Sequence, residues 1–178
     1  MDSEKEKKSG KEEAFVHYVI DLCVKDNGAA AALRRADNPA TEYQSWEYLA
    51  RFVIDLENSF ERIPYATIAA AIARVQPEKN GTAGIGKAIA FCYDEKSDSD
   101  QAKAKLRRLL ACDSTAEACR ILRPLFSLID SKAGTSIDYA RLLSQLVWFS
   151  SNSNKIKTQW ASDFYRQSIS TDITEAVL

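Results

Sequence analysis

The sequence predicts an all-α protein, a compact two-lobed bundle of eight or nine helices. Three observations carry that expectation. Apolar residues recur at three- and four-residue spacing along most of the chain. The 178 residues include only six glycines and four prolines, too few for a sandwich or barrel built on many tight turns. No segment reads as a confident strand, and no internal repeat of fixed period appears.

Taken in order, the first 13 residues form a polar leader of mixed charge, expected to be flexible. From about Glu12 to Lys25, Phe15, Val19, Leu22 and Cys23 fall at i, i+4, i+7 and i+8, one face of a helix. Asp26-Asn27-Gly28 breaks it. A short alanine-rich helix follows from Ala29 to Ala36, and Asp37-Asn38-Pro39 ends it, because the residue before a proline disfavours the helical region. Tyr43 to Asn58 places Trp46, Leu49, Ala50, Val53 and Leu56 on one stripe and is expected to be a core helix. Pro64 suits the first turn of the next helix, whose Ile68, Ile72 and Val75 pack inward among alanines.

Residues 77–86 (PEKNGTAGIG) read as the most flexible loop. Their glycines lack the GxxxxGK[ST] and GxGxxG spacings of phosphate-binding loops. A short helix from Ile85 to Cys92 leads into DEKSDSD, residues 94–100, a solvated acidic linker. Gln101 to Cys112 is helical with Leu106, Leu109 and Leu110 inward. Ser114 and Glu117 have capping-box spacing at the start of a helix that ends near Gly134. Pro124 lies well inside that helix and predicts a kink or a later start. Ser136 caps a helix carrying Ala140, Leu143, Leu146 and Val147. The last helix, about Asn154 to Gln167, stacks Ile156, Trp160 and Phe164. The organisation expected is a leader (1–13), an N-terminal lobe (14–93), a linker (94–100), a C-terminal lobe (101–170) and a tail (171–178).

The formal net charge is −1, without the basic excess of a free-standing nucleic-acid binder. Its distribution is uneven. Residues 14–102 hold 9 Lys and Arg against 13 Asp and Glu, whereas residues 103–178 hold 11 against 7. Such a dipolar chain can meet nucleic acid with one end and protein with the other. Solvated helix faces also fluctuate in charge, and composition alone does not separate the two.

Enzymatic chemistry is poorly supplied. Cys23, Cys92, Cys112 and Cys119 are widely spread with no CxxC pair, and the single histidine, His17, cannot complete a zinc quartet. Asp21 and Asp55 have no metal-ligand partner at useful spacing. No GxSxG, HExxH, Walker or kinase signature occurs. The expectation is a non-enzyme without metal or cofactor. The N-terminus lacks a secretory pattern and no apolar run reaches membrane-span length, so a reduced, cytoplasmic protein without membrane association is expected.

The basic residues are more informative. Lys103, Lys105, Arg107 and Arg108 cluster on one helix that has no acidic residue after Asp100. Lys103 and Arg107 share a face, with Lys105 and Arg108 on the neighbouring ridge. A solvated helix ordinarily mixes signs, so this imbalance suits an anionic partner, and the arginine fork suits phosphate. The alternative is pairing with Asp113, Glu117 and the linker acids, or docking of the basic ridge on an acidic protein by a helical scaffold. Arg34-Arg35 forms a second basic pair, and Arg120, Arg123 and Arg141 follow later. Trp46, Trp148 and Trp160 lie on or beside apolar stripes and read as core.

Together, VKDNGAAAALRRADNP, GTAGIGKAIA, KLRRLLACDSTAEACRILRPLFSLIDSKAG, SIDYARLLSQLVWF and WASDFYRQ resemble, in order and spacing, the CasB family. CasB is the small subunit of the type I-E CRISPR Cascade complex. The resemblance runs from about Phe15 to Gln167 and rests on no single motif. It implies an all-helical, two-lobed, non-catalytic protein. It also implies a cytoplasmic partner set: other Cascade subunits with guide RNA, a second copy of the chain, and the target and displaced DNA strands, whose R-loop the basic residues stabilise. By motif position it assigns nucleic-acid contact to Arg34, Arg35, Lys87, Arg107 and Arg108, and to Arg123 and Arg141 on the later helices. Lys103 joins them through its shared face with Arg107. The chain departs from the family pattern in its acidic first lobe and charged leader.

Overall fold

The computed structural model describes the backbone of residues 2–175 and the side chains of residues 10–166. Nine helices are described: α1 (Asp2–Lys25), α2 (Asn27–Leu33), α3 (Trp46–Leu49), α4 (Ser59–Val75), α5 (Ile85–Ala90), α6 (Asp100–Leu110), α7 (Thr115–Lys132), α8 (Tyr139–Val147) and α9 (Phe149–Glu175). Short 3-10 turns occupy Glu42–Ser45 and Lys96–Asp98. Among the described residues there is no strand, only one parallel bridge between Ala83 and Ile137. The fold is all-α.

The chain divides into two compact units, residues 1–80 with 139–148, and residues 81–138 with 149–178. In the first unit, α1 packs against α2, α4 and α8. Its centre is Phe15, edge-on to Tyr65 at 4.7 Å and to Phe52 at 5.2 Å, with Leu33, Leu49 and Ile68 fully buried. Each such buried side chain stabilises by about 1.5–3 kcal/mol. The alanines of α4 are buried throughout, leaving room for neighbouring helices to approach closely.

In the second unit, α5 lies along α9, and α6 packs on α5, α7 and α9. Phe149 and Trp160 stack at 5.6 Å, and Leu106, Ile89 and Phe164 complete the core. Gly86 makes the α5–α9 approach possible, because a Cβ there would overlap the Trp160 carbonyl oxygen. The acidic stretch 94–100, read from sequence as a linker between lobes, lies within this unit, where the Lys96–Asp98 turn packs on α6 and α9. The unit boundaries fall instead after Asn80 and on either side of α8.

Several elements differ from their sequence reading. Residues 43–58 do not form one helix: α3 ends at Leu49 and irregular chain follows. The stripe is only half used, since Leu49 and Val53 are buried but Trp46, at 38%, and Ala50 are exposed. The Asp55 carboxylate accepts from the Glu57 amide, and the Asn58 side chain from the Phe60 amide, local bonds that compete with helix. Pro64 sits in the second turn of α4 rather than the first. The loop 77–86 is pinned: the Gly81 and Ala83 amides donate to the Ile137 and Ser136 carbonyls, and Asn80 accepts from the Tyr139 amide. Pro124 does not divide α7. α1 begins inside the stretch read as a leader, and α9 runs into the stretch read as a tail, of which 176–178 lie outside the described residues.

Candidate nucleic-acid interface

The basic helix α6 is fixed by its other face. Ser99 caps it, its hydroxyl accepting from the Ala102 amide at 3.3 Å, while Ala102, Leu106 and Leu109 are buried. That orientation leaves Arg107 and Arg108 exposed in the last turn, where cations also complement the helix dipole. Neither makes an ion pair among the described residues. Lys103, on the same helix, is half-buried and donates to the Asp98 carbonyl at 3.0 Å. Lys105 and Arg108 edge a shallow groove of about 250 Å³ floored by Ile121, Pro124, Leu125 and Leu128.

On α7 the capping box forms. The Ser114 hydroxyl accepts from the Glu117 amide at 3.2 Å, and the Glu117 carboxylate turns back to the Asp113 amide at 3.0 Å. The same carboxylate reaches Arg120 at 3.8 Å, so Glu117 pairs with its own helix rather than with α6. Arg123 is half-buried and carries further interactions. Lys87 on α5 is half-buried, its ammonium 5.4 Å from the centre of the Phe91 ring.

The candidates of the first unit are differently engaged. Arg34 and Arg35 are exposed. The Arg34 Nε donates to the Ala73 carbonyl at 2.9 Å, and Arg35 donates to the Gln44 side-chain oxygen at 3.2 Å. Arg74, absent from the sequence reading, grips Asp37 through two nitrogens at 2.6 and 2.7 Å and donates to the Arg34 carbonyl at 2.8 Å. Nothing local signals that pairing, since its partners lie 37 and 40 residues away. Arg141 is exposed on α8 and has interactions of its own. The structure thus keeps Lys103, Arg107 and Arg108 on one helix and places Arg34, Arg35 and Arg141 in the other unit.

The groups considered for catalysis do not converge. Among the described residues no three of His, Cys, Asp or Glu could hold a metal ion together. All four cysteines are buried. Burial raises the thiols of Cys23, Cys112 and Cys92, the last to about 11 despite the opposing charge of Lys132. Thiols held neutral in this way are poor nucleophiles. No described helix is long and apolar enough to cross a membrane.

The fold is shared with CRISPR-associated proteins of known structure. A Cse2-family protein from Thermus thermophilus superposes with a TM-score of 0.70 at 22% identity, over 86% of this chain and 97% of that one. CasB of M. ruber gives 0.72 at 24% identity, over 92% and 97%. A chain of a CRISPR RNA-guided surveillance complex gives 0.73 at 22% identity, over 95% and 99%. Among curated proteins none matches. The family model described as CRISPR-associated protein Cse2 (CRISPR_cse2) matches residues 29–165. The chain belongs to the Cse2 family, also called CasB, the non-catalytic small subunits of type I-E Cascade surveillance complexes.

Proposed function

We propose that this subunit stabilises the R-loop of its surveillance complex through contacts to the phosphate backbone, in the cytoplasm, as one of two copies beside the guide RNA. The observation that carries the reading is the exposed Arg107–Arg108 pair on a helix with no acidic residue after Asp100. R-loop formation exchanges one duplex for another of similar stability, so a few backbone contacts suffice to tip it. Sequence is read by base pairing with the guide, which leaves this chain the task of holding phosphate irrespective of sequence. The near-neutral net charge fits a subunit that works within an assembly and contributes only part of its nucleic-acid affinity.

The test is the assembled complex carrying Arg107→Ala and Arg108→Ala. Affinity for target DNA should fall, and the log–log salt slope should fall by about 0.7 per lost contact on single strands or about 0.9 on duplex. A second reading, in which α6 docks an acidic protein surface, draws on the groove that Lys105 and Arg108 share with Leu125 and Leu128. In that case the double variant fails to join the complex while the subunit's own salt slope on DNA stays unchanged.

A further inference from the structure

Three lysines from three separate elements gather on two aromatic rings of the second unit. Lys87 belongs to α5, Lys96 to the Lys96–Asp98 turn and Lys132 to the last turn of α7. The Lys87 ammonium lies 5.4 Å and the Lys96 ammonium 5.3 Å from the centre of the same Phe91 ring, and Lys132 lies 5.9 Å from that of Tyr93. The electron-rich face of a ring attracts cations, so Phe91 brings together two ammonium groups that repel each other. Lys96 is held there in the left-handed region, at φ 49°, which a long side chain seldom adopts.

Neutralising acids are near in sequence. Asp94, Glu95 and Asp98 are exposed. Yet among the described residues none of the three lysines makes an ion pair. The three charges are carried by three separate elements on two different rings. Several such cations without acid partners suit a polyanion better than one small anion.

We infer that Lys87, Lys96 and Lys132 form a second contact for a nucleic-acid phosphate backbone, distinct from Arg107 and Arg108, with Phe91 as the residue that positions its cations. The inference rests on the nucleic-acid reading above and adds Lys96, Lys132 and Phe91 to it. Lysine is a flexible, strongly hydrated point charge, and a ring that holds two of them in place lowers the ordering cost of meeting phosphate.

The experiment titrates the full chain against a labelled single-stranded DNA of arbitrary sequence over a salt series. Lys87→Ala with Lys96→Asn should weaken binding and lower the log–log slope by about 1.4, two contacts' worth. Asn is chosen at 96 because it tolerates positive φ, so folding is preserved. Lys132→Ala, an exposed change away from the turn, should lower the slope by about 0.7. Phe91→Leu keeps every charge; it should weaken binding roughly threefold with the slope unchanged. If the lysine variants bind like wild type while Arg107→Ala/Arg108→Ala loses affinity, this second contact is overturned and the wider reading stands. If the lysine variants instead lose binding to an acidic polypeptide and not to DNA, the cluster serves a protein partner and the inference fails. If Phe91→Leu is silent while the lysine variants are weak, the ring positions nothing. Absence of salt-dependent DNA binding by the wild-type chain, alone and within its complex, would sink the nucleic-acid reading itself.

Discussion

Several cations of the first unit are tied to acceptors of the fold, whereas five of the second are not, although Arg120 and Lys103 there are. In the first, Arg74 is clamped on Asp37, Arg62 reaches Glu42, Lys11 reaches Glu61, and Arg34 is tied to a backbone carbonyl. In the second, Arg107, Arg108, Lys87, Lys96 and Lys132 make no ion pair among the described residues, and three of the five rest against rings. Both units contain arginines and lysines in comparable number, so composition does not distinguish them. What differs is whether a carboxylate or carbonyl lies within reach of the cation. An engaged guanidinium stabilises the fold, whereas an unengaged one keeps its donors for an outside anion.

The largest effect expected is on the scaffold that carries the second unit's cations. Gly86→Ala places a methyl group against the Trp160 carbonyl and must push α5, with Lys87, away from α9. The loss should be about 3 kcal/mol, read as a lower urea midpoint. An unchanged midpoint would mean that α5 has room to move and that its cations are not rigidly placed. The next effect belongs to the first unit. Asp37, whose side chain is 3% exposed, supplies both oxygens to Arg74. Asp37→Ala should cost about 2–3 kcal/mol by the same measurement, because it leaves a charged donor pair without its acceptor. A loss below about 0.5 kcal/mol would place this pair with weak surface ion pairs and erase the contrast between the units.

Where one helix face is continuous and local, the sequence was sufficient. Ile156, Trp160 and Phe164 are buried on α9 as their spacing requires, and the Ser114–Glu117 box forms because both of its bonds lie within four residues. The failures share a cause, which is dependence on distant partners. The glycine-rich loop reads as mobile until Ser136 and Ile137, more than fifty residues on, accept its amides. Residues 43–58 keep a helical apolar pattern, but the core takes only Leu49 and Val53 from it, and the Asp55 and Asn58 side chains satisfy the backbone locally instead. The same holds for the candidate cations. The exposure of Arg107 and Arg108 was legible because a one-signed helix is a local pattern. Arg74 was hidden because its acceptors lie far back in the chain, and Lys96 because it sits inside an acidic run.

The smallest effect separates the two basic pairs most sharply. Arg34 and Arg107 are both exposed arginines near helix ends, and sequence gives them equal standing. Arg34→Ala removes the donor to the Ala73 carbonyl and should cost about 1 kcal/mol, the value of one partly solvated hydrogen bond. Arg107→Ala with Arg108→Ala removes no described bond and loses only the dipole term of the α6 C-terminus. At physiological salt that is about 0.5 kcal/mol. Arg34→Lys refines the point: it keeps the charge but lacks the Nε donor, so stability should fall with Arg34→Ala while DNA affinity stays near wild type. For the α6 pair the order reverses, with affinity and salt slope falling while the urea midpoint barely moves. Equal stability losses at both pairs would mean that α6 needs its arginines for folding. The proposed phosphate contacts would then have to be sought among the lysines around Phe91.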